Sequence, residues 1–470
     1  MRNKQKLILL EFNELTPALL QQFIKQGELP NFARFYRESL VYTTDAEESG
    51  ETLNPWIQWV TVHSGLSYTE HGIFELNEGH KLKEPCLWDL LSAQGHRVWV
   101  CGSMNVRYDV PLNGYVLPDP WTVNVDPYPA NAGLDSYFRF VQTQVQEHTN
   151  DQMALTASDY ARFLKFMVSH GLSAHTTAAI VRQLTKERVG DGKWKRAVIL
   201  DKLQFDVFRS IFQSQKPQFS TFFLNSTAHM QHAYWRYMDP EPFKVKPTED
   251  ERLDYGDAVL YGYQEMDGLL GRFLKLAGDD VTLVFATALG QQPCLLYEDT
   301  GGKRFYRPRD FERFLEFAGV TVAHKCSPVM SEQFHVHLNS EADAGLTEQR
   351  LRALQVDGRP LMRTLREGAH TVSAGAALFD AIPETAVLSN EQGRSVSFFE
   401  QFYGSETVKS GMHHPDGALW IRTPEREHRV FEDRVSLRSV APTVLKMFGV
   451  EPPAFMKADA LEWSSEKVVA

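Results

Sequence analysis

Four short apolar runs constrain this chain more than anything else in it. They are 7–10 (LILL), 97–101 (RVWVC), 219–224 (FSTFFL) and 281–287 (VTLVFAT). The runs at 7–10 and 97–101 fit strands buried on both faces, and 219–224 and 281–287 read as strands. Helical patterns separate them. Apolar residues recur at helical spacing from Thr16 to Gln26, and Gly27 supplies a stop. Pro30 opens a second helix at a favoured first-turn position. Asn54-Pro55 opens a third, with Asn54 at the cap, and Ser64-Gly65 ends it. Residues 88–93 read as another. Strands alternating with helices predict an α/β fold with a mostly parallel central sheet and helices on both faces.

Two stretches break the alternation. Residues 130–215 read as helical and polar with no strand, an insertion or cap over the loop end of the sheet. Residues 300–400 are less regular and contain the alternating run FHVHLN (334–339), which predicts a small strand-containing insertion. The expected organisation is one domain over 1–470 with these two insertions. The chain has 470 residues, 43% of them apolar, enough for a large core. Its net charge of −11 disfavours general nucleic-acid binding, which needs basic surface. It leaves a small anionic ligand open, because a local site can be positive on an acidic protein.

Cys86, Cys101, Cys294 and Cys326 are scattered, which reads as reduced thiols rather than a disulfide framework. The apolar run before Glu11 is too short for a signal segment, and no stretch approaches a membrane span. The expectation is a cytoplasmic protein with no membrane span.

Six segments in order carry a resemblance. They are LILLEFNELTPALL…GELPNFARF (7–35), NPWIQWVTVHSGLSYTEHGIFE (54–75), TAHMQHAYW (227–235), LVFATALGQQP (283–293), HHPDGALWI (413–421) and SVAPTVLKMFGVEPP (439–453). Together they resemble the type I phosphodiesterase and nucleotide pyrophosphatase branch of the alkaline phosphatase superfamily, with its sulfatase-like relatives. The resemblance implies an alkaline phosphatase-like fold. It also implies two divalent cations, held by carboxylates and histidines, that activate a Thr or Ser nucleophile at a helix N-terminus.

Carried over position by position, that site is altered. The Asp after the first strand falls on Glu11, with Asn13 and Glu14 close behind. The nucleophile position falls on Asn54, an amide that serves as an N-cap, while Thr52 and Ser49 offer hydroxyls nearby. One ligand Asp falls on Ala228, and an Asp-His pair falls on Ala288-Leu289. His232 and His413 match ligand histidines. His229, three residues before His232, is a candidate partner on the same helix face. His414 stands beside His413, and adjacent side chains diverge. Arg107 is a candidate for binding an anionic group, or else a surface salt bridge. His71 reads as closing a helix.

The resulting expectation is a divergent hydrolase or transferase acting on a phosphate, phosphodiester or sulfate ester, either a small anionic ester or a glycan-linked one. At most one divalent ion, zinc or another transition metal, would be held by Glu11, His232 and His413 with His229. Thr52, Asn54, His229 and Arg107 are the catalytic candidates. Two alternatives stay open: a catalytically inactive relative serving as a binding or scaffold module, and a metal-free enzyme using histidine acid–base chemistry.

Overall fold

The computed structural model describes residues 5–122, 124–147, 156–188, 192–328, 332–405 and 407–464. Its centre is an eight-stranded sheet: β1 (Leu7–Phe12), β2 (Leu40–Asp45), β3 (Val98–Cys101), β4 (Gly114–Leu117), β5 (Phe219–Leu224), β6 (Thr282–Ala286), β7 (Asp416–Arg422) and β8 (Arg429–Ser436). The spatial order is β8-β2-β7-β6-β1-β5-β3-β4. Only β7 runs antiparallel to its neighbours, β2 and β6. The sheet is thus mostly parallel, as the apolar runs predict, and all four runs lie in it.

β1 shows why those runs lack alternation. Leu7 and Leu9 enter one core with Trp59, Trp88 and Val100. Ile8, Leu10 and Phe12 enter the other with Phe32, Phe285 and Trp420. Both faces are covered, so every position is apolar until the chain reaches Glu11. β1 is flanked by β5 and β6, both parallel to it. The loops leaving these three strands therefore emerge at one end of the sheet, where open α/β sheets place their sites.

Residues 130–215 contain the helices Asp135–Glu147, Ala157–Ser169, Ala174–Glu187 and Ala197–Gln215. The last of these does not sit over the loop end. It buries Phe205, Val207 and Phe208 in the sheet's core, where Phe208 stacks on Trp99 at 6.3 Å. This helix belongs to the layer covering one sheet face.

Residues 306–402 hold a core of their own. It is built on an antiparallel sheet ordered Met362–Glu367, Thr371–Ala376, Gln333–Leu338, His324–Pro328, with helices Phe311–Ala318 and Glu341–Arg352. The alternating run forms the strand Gln333–Leu338, and Phe334, Val336 and Leu338 face that core. All four cysteines are free thiols. Among the described residues no helix is long and apolar enough to cross a membrane.

Candidate metal centre

Glu14, His232 and His413 come together at the loop end of β1, each offering one ligand atom within 4.8 Å of the others. Glu14 Oε2 lies 3.0 Å from His232 Nε2 and 3.5 Å from His413 Nε2. The two imidazoles meet edge to face at 5.1 Å. Glu14 is buried, while His232 and His413 keep 26% and 16% of their side chains exposed, so the group opens to solvent along the histidine edges.

Each side chain of the group is held by its own local structure. Glu14 sits on the turn after β1 with φ of +60°. Its N–H donates to Thr287 O at 3.1 Å, and its C=O accepts from Gln231 Nε2 at 2.8 Å. Its carboxylate accepts from Asn13 Nδ2 at 2.9 Å and Gln291 Nε2 at 2.6 Å. His232 projects from the helix Ser226–Met238. His413 lies on the short strand Gly411–His414, paired antiparallel with Gly290–Pro293 so that His413 faces Gln291. Gly411 permits the close approach of strand and helix. A Cβ there would fall 2.6 Å from Gln231 O and 2.2 Å from Gln291 Oε1.

The histidine tautomers follow from their partners. His232 Nδ1 is 2.8 Å from Gly411 O, and His413 Nδ1 is 2.7 Å from Leu53 O. A carbonyl oxygen only accepts, so each Nδ1 carries a proton. A neutral ring then turns the lone pair of Nε2 toward Glu14, acceptor against acceptor. A proton or a cation resolves that opposition. A backbone-anchored Nδ1–H with Nε2 turned to a shared carboxylate is an arrangement that orients metal-ligating imidazoles.

Burial raises the Glu14 carboxyl, but the neighbouring His232 and His413 and the Gln291 amide outweigh it and hold the group at about 2. Burial pushes His413 down to about 4, against the opposing pull of Glu14. At neutral pH Glu14 is ionised and His413 is neutral.

The structure changes the ligand set expected from the sequence at two places. Glu11 is not in the group. β1 runs to Phe12, so Glu11 lies inside the strand on the face of Leu7 and Leu9, where its Oε1 is 3.0 Å from buried His63 Nε2. Glu14, two residues past the strand end, provides the carboxylate instead. His229 is exposed and lies outside the group, although a three-residue step leaves it only about 60° from His232 around the helix. Ala228, Ala288 and Leu289 are buried and carry no donor side chain. Ala288 nevertheless has φ of +59°, which costs a non-glycine residue about 1–3 kcal/mol.

The catalytic candidates scatter. Thr52 lies on the turn Gly50–Thr52 just before the helix Pro55–Ser64. Its hydroxyl donates to Glu48 Oε2 at 2.6 Å. Leu53, the next residue, supplies the carbonyl that anchors His413, so this turn borders the group. Asn54 occupies the N-cap position, but its side chain makes no cap bond and donates back to Glu51 O at 2.6 Å. Arg107 is engaged elsewhere, by Glu84 O at 2.9 Å and by Asp89 and Asp109. His71 Nδ1 accepts from Ile73 N–H, and His414 Nδ1 accepts from Asp416 N–H, each closing a local turn. Glu14 and Gln291 are the site residues missed in the sequence. The only signal for either was the carboxylate three positions past Glu11.

The family model for type I phosphodiesterase / nucleotide pyrophosphatase matches residues 7–347. The chain belongs to this family. The match takes in Glu14 and His232 and ends before His413. No curated protein matches the sequence. Among solved structures, this phosphodiesterase-family chain is similar to wild-type alkaline phosphatase PafA at 10% identity, with 98% of each chain covered and a TM-score of 0.48. It is similar to murine ectonucleotide pyrophosphatase / phosphodiesterase 5 at 9% identity, 96% of each chain and 0.42. It is also similar to phosphonoacetate hydrolase from Sinorhizobium meliloti 1021 at 12% identity, 96% of each chain and 0.41.

Proposed function

We propose that this family member is a hydrolase or transferase acting on a phosphate, phosphodiester or sulfate ester, with a single divalent ion held by Glu14, His232 and His413. The observation that supports it most is the pair of histidines whose Nδ1–H groups are fixed on Gly411 O and Leu53 O, with both Nε2 atoms aimed at one ionised carboxylate. One carboxylate and two imidazoles suit zinc or a similar transition ion with an open position. The hydrocarbon side chains at Ala228, Ala288 and Leu289 leave a second family-type site without donors. When bound, the ion would supply Lewis-acid polarisation of the ester oxygen.

The chain's own residues would do the rest. Asn13 and Gln291 hold the Glu14 carboxylate in place. Gly411 and Leu53 hold the imidazoles in one tautomer. Thr52, with Glu48 accepting its hydroxyl proton, is our candidate nucleophile. Aryl phosphate, bis-aryl phosphodiester and aryl sulfate should be offered to the metal-loaded protein. Turnover that disappears in chelator and in His232→Ala supports the reading. Turnover unaffected by chelator would favour histidine acid–base chemistry. The amide at Asn54 and the missing donors at Ala228, Ala288 and Leu289 favour a second reading, a non-catalytic relative whose cleft binds without turnover. Absence of turnover on all three esters with zinc, manganese or magnesium would select it.

A further inference from the structure

A second group of ligand-type side chains stands apart from the first, where the 306–402 unit meets the main sheet. Glu75, His335 and Glu367 each bring one ligand atom within 4.8 Å of the others. Glu75 follows the helix Tyr68–His71 in the main body. His335 and Glu367 come from the small antiparallel sheet.

Register explains how the latter two share a face. His335 lies opposite Ser373, and Glu367 lies opposite Thr371, on the strand between them. These positions differ by two, so their side chains stand on one side of the sheet. The other side carries Phe334, Val336, Val372 and Ala374 into the unit's own core. The polar side would ordinarily be wet. Here His335 is only 2% exposed and Glu75 6%, because the Glu75 loop covers them. That loop is rigidly seated: Asn105 donates through Nδ2 to Glu75 O at 3.0 Å and Trp56 O at 3.1 Å, and accepts from Gly79 N–H at 2.7 Å.

The burial is not matched by hydrogen bonding. His335 Nε2 and Glu367 Oε1 face each other at 3.2 Å, an ion pair only when the imidazole is protonated, and neither atom finds another hydrogen-bond partner among the described residues. A proton on the imidazole or a cation bound beside both atoms satisfies them, and with neither the burial is costly. Two carboxylates and an imidazole form a donor set of charge −2 when ionised, which a divalent transition ion neutralises. Lys81, the cation near Glu75, is exposed and already paired with Glu78.

We propose that Glu75, His335 and Glu367 form a second divalent-cation site, structural in character, that fastens the 306–402 unit to the main body. It is independent of the Glu14 group and of any catalytic reading. The probe is Zn2+ alone, added to chelator-stripped full-length protein, with bound metal counted by elemental analysis after desalting. Wild type should hold two equivalents. Glu75→Gln and His335→Asn should each hold one, and Glu14→Gln should also hold one, so the two sites fail separately. A wild-type content of one that falls to zero in Glu14→Gln and is unchanged in Glu75→Gln would overturn the proposal. That result would mean the carboxylates share a proton instead. Should the 75 and 335 variants not fold, anomalous scattering at the zinc edge from wild-type crystals decides: a peak between the three side chains upholds the site, and its absence at full occupancy of the Glu14 group refutes it.

Discussion

Replacing Glu14 by Gln removes the only negative charge from the His232–His413 group while keeping its shape. The amide can keep only one of the bonds from Asn13 and Gln291, because both donate and the new –NH2 cannot accept, so apo stability falls by about 1–3 kcal/mol. Ion binding changes greatly. Unit charges 4 Å apart near a protein surface attract by about 4 kcal/mol. A divalent ion doubles that, and lost hydration and a neutral amide ligand take part of it back. A loss of at least about 100-fold in affinity, roughly 2.8 kcal/mol, is the expected floor. Thermal unfolding reads this directly. Unfolding entropy of about 2.1 cal/mol/K per residue over 470 residues gives roughly 1 kcal/mol per degree. Zinc at 100 times its dissociation constant stabilises wild type by about 2.7 kcal/mol, or roughly 3 °C. At the same zinc concentration the variant should gain less than about 0.5 °C. Each protein is compared with its own chelated baseline, so any change in apo stability cancels. The Glu75 group also binds zinc in this account, so the scan is run in the Glu75→Gln background. An undiminished zinc increment in the Glu14→Gln protein would refute the reasoning.

Four further outcomes are expected. Asp201 is buried, and burial pushes its carboxyl up to about 7 despite the bond from Ser226. The folded state therefore holds a proton that the unfolded state releases near pH 4, and stability should fall by up to about 1.4 kcal/mol per pH unit between pH 4 and 7; urea midpoints against pH should show this slope flattened in Asp201→Asn. Arg236 and Glu298 form a buried bidentate pair that ties the His232 helix to the chain entering the 306–402 unit, and Arg236→Ala should cost about 3–5 kcal/mol in denaturant unfolding by stranding Glu298. Arg107→Gln should lower stability by about 1–3 kcal/mol through its lost bonds to Asp89 and Glu84, with metal content unchanged. Thr52→Val should abolish ester turnover while leaving zinc binding at wild-type stoichiometry; equal turnover would remove Thr52 as nucleophile.

The fold was legible where burial is two-sided. The runs that became β1, β3, β5 and β6 carry apolar side chains on both faces and need no partner to be recognised. β8 is largely exposed along Arg429–Ser436, so nothing in its composition marks a strand. The helix Ala197–Gln215 looked like part of a cap because its polar positions hid how deeply Phe205 and Phe208 insert. Of the candidate group, the sequence pointed to His232 and His413 with Glu11 as their carboxylate, whereas the structure groups the two histidines with Glu14. His232 and His413 are 181 residues apart, and their approach depends on the pairing of Gly411–His414 with Gly290–Pro293. Choosing Glu14 over Glu11 required knowing that β1 extends two residues past its apolar run, which reverses which acidic residue reaches the loop. His335 was visible only as part of an alternating pattern. Its burial against Glu75 comes from the contact between two units, which no local spacing encodes.

The proposed function rests on one divalent ion among Glu14, His232 and His413. Anomalous diffraction at the zinc edge, on crystals of the zinc-loaded protein, tests it most directly. A peak is expected within bonding distance of Glu14 Oε2 and both Nε2 atoms, with none beside Ala228, Ala288 or Leu289. Zinc-loaded crystals with no peak at the three side chains, or with a two-ion cluster there, would contradict it.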